Sequence, residues 1–301
     1  MHPAYSIIAF TTLSGLGYGL ATALGLGFLD PASLATKVAY LAALALIGTG
    51  LLSSLLHLGN PQRAWRAVSQ WRSSWLSREG VMAIGTFVPL TLSAALATFA
   101  GRHDGLLGLI TALGALTTVY CTSMIYASLK TVGNWNTWLT PLCFLLISLA
   151  GGFLLAAAFA AANALTIQLF ALLFMLLALI AKMLWRKRAM TLVERSTPES
   201  ATGLGGIGKV RLLERPHALD NYLTREMGFR IARKHAAKLW VIALLSGALV
   251  PILALLLAMA IGSGYLAQFI LALAVISHLT GIFVERWLFF AQARHAVMNY
   301  Y

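Results

Sequence analysis

Charge is scarce in this chain. Only 10% of its 301 residues are charged, where a soluble globular domain carries about 25%, so an ordinary soluble fold is excluded. Acid is scarcer still, with 9 Asp+Glu against 22 Lys+Arg. Cysteine is nearly missing. The two present, Cys121 and Cys143, sit apart in apolar runs. With no C-x-x-C or other cluster, the chain ligates no iron–sulfur centre by itself and has no disulfide framework. The N-terminus lacks a basic region and a small-residue cleavage site, so residues 5–29 read as a first span and not as a removed signal.

What is there is oil. Hydrophobic residues make up 59% of the chain, and the mean hydropathy is +0.81. Backbone groups in lipid must pair within their own segment, which selects helices, and a span needs about 20 apolar residues. The pattern predicts an all-α integral membrane protein: a single membrane domain over 1–301, a bundle of eight transmembrane helices with a basic cytoplasmic loop segment. The expected spans are 5–29, 37–58, 80–101, 106–129, 138–161, 164–185, 239–262 and 266–289. "LDPASLATK", "RHDG", "KTVGNWNT" and "GSG" mark breaks, and "ANA" at 162–164 is the weakest of them.

This count sorts the charges. Of the 22 Lys+Arg, all but Lys37 and Arg102 fall on the face that carries the N-terminus, in the 60–79 loop, at Lys130, in 182–238 and near the C-terminus. Cytoplasmic loops carry the excess of Lys and Arg. Both termini and the basic loops are therefore expected in the cytoplasm. On a soluble protein a net charge of +13 would suggest nucleic acid; here topology accounts for it.

The large extramembrane element is 186–238. Anionic lipid heads explain part of its basicity. Its apolar residues, interleaved with five acids, go beyond a lipid anchor and suit a docking platform for a soluble partner. Arg211, Arg215, Tyr222, Arg225 and Arg230 are the candidate docking residues. The stretch from about Asn221 reads as helical. "GLGGIG" at 203–208 fits a dinucleotide-binding template, but that template needs a βαβ unit, so it reads as a flexible turn.

Ionisable groups at membrane depth are functional candidates by default. His57 ends the second span, Glu79 opens the third, His278 lies inside the eighth, and Glu285 and Arg286 follow it. Between His57 and Glu79 lie Arg63, Trp65, Arg66, Trp71, Arg72, Trp75 and Arg78, a composition suited to an interfacial amphipathic segment. Quinone chemistry needs an apolar slot, aromatic walls, hydrogen-bond donors at two ring oxygens and a proton relay. His57 and Glu79, with Arg63, Trp71 and Trp75 around them, supply such a set. The bland reading is that His57 caps a helix and Glu79 favours a helix N-terminus. Haem is disfavoured, because His57 and His278 lie at different depths. A transporter is a more remote alternative, since the midplane carries little charge and no internal repeat is visible.

"LHLGNPQRAW" followed by "SREG", "YCTSMIYASLK" followed by "WNTWLTPL", and "ERWLFFAQARH" resemble the membrane-anchor subunit of dimethyl sulfoxide reductase. "NYLTREMGFRIARKHAAKL" at 221–239 resembles the branch found with quinone-dependent sulfite dehydrogenase. The resemblance implies eight spans, no haem, and a quinone site, for ubiquinone or menaquinone, at the partner-facing rim. His57, Glu79 and Arg63 would stand at that site. It also implies an iron–sulfur partner with [4Fe-4S] clusters, and through it a molybdopterin catalytic subunit. The chain itself would hold no metal and no catalytic residue for the sulfur substrate. The inward-facing basic loops fit the sulfite branch, with electrons passing from sulfite to quinone. Reverse flow, from quinol to dimethyl sulfoxide or an N-oxide, is the alternative.

Overall fold

The computed structural model describes residues 4–56, 60–160, 164–192, 196–211, 213–214, 231–262 and 264–299. His57, Arg215, Tyr222, Arg225 and Arg230 lie outside the described residues, as does the expected helix start at Asn221.

Eight helices are long and apolar enough to cross a membrane. They are α1 (Tyr5–Gly25), α2 (Leu34–Leu55), α3 (Trp75–Ala95, extended by a π-turn at Leu96–Ala100), α4 (Gly105–Ala127), α5 (Leu139–Phe159), α6 (Ala164–Thr191), α7 and α8 (Tyr265–Ala291). Helix α7 runs Ile231–Leu244, passes through a π-turn at Leu245–Leu249, and continues Val250–Ile261. On the basic face, α3, α6 and α7 begin or end up to two turns beyond the expected spans. Their ladders continue past the hydrocarbon, where hydropathy no longer marks them.

Caps on the opposite face explain where the chain turns. Ser33 accepts from the Thr36 N–H to open α2, and Asp104 accepts from the Leu107 N–H to open α4. Gly101, at φ +60°, closes the π-turn that ends α3. His103 Nε2 lies 3.0 Å from the Gly25 carbonyl oxygen and joins the α3–α4 link to the end of α1.

Helix α1 is the hub, packed against α2, α4, α5 and α8. In its apolar window 78% of residues are buried, against 28% for α2. Lipid is as apolar as leucine, so close packing must come from small residues. Gly19 of α1 and Gly152 of α5 lie backbone to backbone. A methyl on Gly19 would overlap the Ser148 carbonyl, and one on Gly152 would overlap Gly19 itself.

Outside the bundle, among the described residues, the 203–208 motif follows the short helix Pro198–Thr202 and not a strand, and residues 209–211 after it are not helical. The single turn Pro198–Thr202 carries a Thr197–Ser200 capping box, and Gly203, at φ +70°, ends it. The Glu199 carboxylate accepts from the Val210 N–H at 3.2 Å and ties the loop back on itself. The segment is a compact capped turn, not a free one.

Candidate functional site

The rim begins with a short 3-10 helix, Pro61–Val68, that packs on the start of α3. Its Arg63 is exposed, as is Trp71 after it. The loop is held by Arg78. Its Nε donates to the Trp71 carbonyl at 3.0 Å and its Nη2 to the Arg72 carbonyl at 2.8 Å. The same guanidinium lies 4.2 Å over the Trp75 ring. Trp75 in turn meets Tyr120 of α4 edge-on, at 5.9 Å between centroids. Trp75 and Glu79 therefore stand one turn apart on α3, while Arg63 and Trp71 face outward.

Glu79 is buried, and the hydroxyl of Thr122 on α4 donates to its carboxylate. Below this pair a polar seam continues: Thr86 and Thr118 hydroxyls lie 3.2 Å apart. Glu79, Thr86 and Ser93 recur every seven residues on α3, and Thr111 and Thr118 do so on α4, all of them buried. Seven-residue spacing keeps one face in register between left-handed crossed helices. That spacing was visible in the sequence and marks the seam; Thr122, one helical turn beyond Thr118, is off the seven-residue series, and no such repeat points to it.

A second cluster lies among α5, α6 and α8, toward the same face. Glu285 is ion-paired with Lys182 of α6, and its second oxygen lies 3.5 Å from Arg286 Nε. All three residues are buried. Aromatic faces cover the cations: Lys182 Nζ is 3.8 Å from the Trp185 ring centroid, and Arg286 is 3.7 Å over Phe144. Lys182 was counted with the cations of the basic face, although the expected sixth span runs to 185; it lies two turns inside α6, in the bundle. Arg286, counted among the cations of the basic face, is likewise interior.

His278 has a structural partner. Its Nδ1 is 2.6 Å from the Gly247 carbonyl oxygen in the π-turn of α7. Pro251, four residues on, has no N–H to offer that carbonyl. The Val250 N–H reaches back to Leu245, so the Ser246 carbonyl accepts from the Ser277 hydroxyl at 2.9 Å. Pro251 has no ionisable residue near it in sequence; folding brings His278 to the break it makes.

Two interior spaces flank α8. One, of about 20 Å³, lies behind α1 and reaches from Thr122 and Tyr18 to His278 and Arg286, with Thr12 and Ser148 in its wall. It thus touches a member of each polar cluster. The other, of about 50 Å³, lies among α6, α7 and α8, beside Lys182, Glu285 and Trp240. Above the second, an open recess of about 1170 Å³ at the basic face is lined by Arg186, Gln292 and Arg294 and shares Trp240 with it. Arg211, the described member of the candidate docking set, is exposed on the same extramembrane segment.

Over residues 1–291 the sequence matches the family described as the DMSO reductase anchor subunit (DmsC). It is 32% identical to the C subunit of the sulfite dehydrogenase of Allochromatium vinosum, across 100% of this chain and 99% of that protein. It is also 32% identical to the C component of the anaerobic dimethyl sulfoxide reductase of Haemophilus influenzae, over 117 residues that span 38% of this chain and 41% of that protein.

Proposed function

The chain belongs to the family of DMSO reductase anchor subunits, and from that premise we propose that it is the quinone-reactive anchor of a molybdopterin and iron–sulfur complex that oxidises sulfite. In this reading the sulfur chemistry takes place on a partner: sulfite and water give sulfate, two protons and two electrons. An iron–sulfur subunit, docked on the basic face at the recess and the 186–238 segment, delivers the electrons. A membrane quinone takes up two electrons and two protons. This chain binds the quinone and supplies the proton path. The positive-inside argument puts the basic face, the partners and both termini in the cytoplasm.

The observation that carries the reading is the buried Glu79–Thr122 pair at the rim. A carboxyl held by a hydroxyl, behind an aromatic and basic interfacial loop, can take up and release a proton without leaving its place. The interior space that begins at Thr122 gives such a proton somewhere to go. A quinone suits these residues: its carbonyl oxygens are acceptors, and the rim offers donors beside the lipid. The end-to-end match to a sulfite dehydrogenase subunit favours sulfite as the electron source. The match to a dimethyl sulfoxide reductase component over 38% of the sequence keeps quinol-driven reduction of a sulfoxide or N-oxide as the second reading.

Glu79→Gln in the purified complex tests the proposal. General acid–base groups contribute about 10²–10⁴-fold, so quinone-linked sulfite oxidation should fall by about 10²-fold while dye-linked oxidation by the partners is unchanged. Quinone-linked turnover at the wild-type rate would overturn the role given to Glu79. A complex that turns over sulfoxides and not sulfite would favour the second reading.

A further inference from the structure

We propose that the slot among α6, α7 and α8 is a second binding site, for the ring of a quinone-class molecule whose apolar tail leaves between α6 and α7. The class of ligand rests on the functional reading above; the site does not. Glu79 stands on α3 and is bonded from α4, whereas the slot is lined from α5, α6, α7 and α8.

The slot has the chemistry of such a site. Its inner end holds Lys182, Glu285 and Trp240, all buried. Toward the mouth stand Leu179, Met183 and Leu244, half-buried side chains of α6 and α7. The opening is therefore apolar and faces the lipid, and the blind end is polar.

The blind end selects a neutral acceptor. An ammonium has three N–H donors. Glu285 takes one from Lys182, and the faces of Trp185 and Trp240, 3.8 and 5.3 Å from Nζ, lie beside the rest. A carbonyl oxygen entering along the slot is the group that fits the remaining donor capacity. An anion such as a lipid phosphate would meet the Glu285 carboxylate, which is paired with Lys182 and lies 3.5 Å from Arg286 Nε. The wall on the α7 side is Gly247, in the π-turn whose carbonyl is held by His278. Single π-turns inside α-helices occur frequently at functional sites. Here the turn brings Gly247 against Gly281 of α8, where a methyl on Gly281 would overlap the Gly247 backbone.

The test uses the intact complex in membranes and a ubiquinone analogue with a photoreactive azido group on its ring. Light should attach the probe within residues 175–183 or 240–248, and unlabelled quinone should compete it away. Met183→Trp, which fills the slot near its mouth, should reduce that labelling at least tenfold; Leu244→Trp does the same from the facing helix should Met183→Trp fail to insert. Labelling confined to α3 and α4 overturns the proposal, as does labelling that neither tryptophan changes, or displacement by added phospholipid and not by quinone. If Glu79→Gln spares quinone-linked turnover while slot labelling persists, the role of Glu79 fails and the second site stands.

Discussion

At the scale of single residues, stability turns on how a bundle in lipid tolerates charge. Glu285 serves two cations, Lys182 and Arg286, under a cover of aromatic rings. Breaking a buried pair by removing one partner costs about 3–5 kcal/mol, because the other charge is left uncompensated. Glu285→Gln strands two cations, whereas Lys182→Met leaves Glu285 beside Arg286. Thermal unfolding in detergent should show a clearly lower midpoint for Glu285→Gln than for Lys182→Met; equal midpoints would mean that the three charges do not act together. Glu79 was legible in the sequence because a carboxylate beside an apolar run has few reasons to be there. Lys182 was not. It is the first cation after a long oily stretch, near the end of the expected span, and such a residue reads as one more charge of the basic face. What keeps it inside is an acid more than 100 positions away and the rings of Trp185 and Trp240, and no window along the sequence brings these together.

At the scale of elements, the eight helices were legible because hydrocarbon thickness dictates their length and backbone pairing dictates their type. Their basic-face ends were not, since α3, α6 and α7 run on past the lipid-adapted stretch. The contacts between helices are set by where a side chain is missing. Gly19 sits against the Ser148 carbonyl, while Gly48 has open space where a methyl would go. Gly19→Ala should force α1 and α5 apart and lower the yield of folded, detergent-stable protein severalfold. Gly48→Ala should fold as well as wild type, or slightly better, since alanine in a helix is favoured over glycine by about 1 kcal/mol. Equal yields from the two variants, compared by size-exclusion profile, would show that the α1–α5 approach is not close. The break in α7 has a comparable local cause, with Pro251 withholding a donor and His278 and Ser277 of α8 replacing the lost bonds.

At the scale of the whole molecule, the arrangement around α1 explains why two polar clusters distant in sequence lie toward one face. Helices α3 and α4 bring Glu79 and Thr122 to the hub from one side, and α6 and α8 bring Lys182, Glu285 and Arg286 from the other. The space behind α1 lies between them. The sequence separated a basic face from a nearly uncharged one, but it did not order the helices around α1, because every span is oily enough to sit anywhere. Function depends on which way the basic face points. Cys121 and Cys143 are buried, so single cysteines placed at exposed Ser69 and Ser200 on the basic face, and at exposed Asp104 on the other, report the topology against a low background. Treating intact cells with a membrane-impermeant maleimide measures it. Asp104→Cys should react at once, and Ser69→Cys and Ser200→Cys only after the cells are opened. Reaction at Ser69→Cys and Ser200→Cys in sealed cells would place the docking face outside and contradict a cytoplasmic junction between metalloenzyme and quinone.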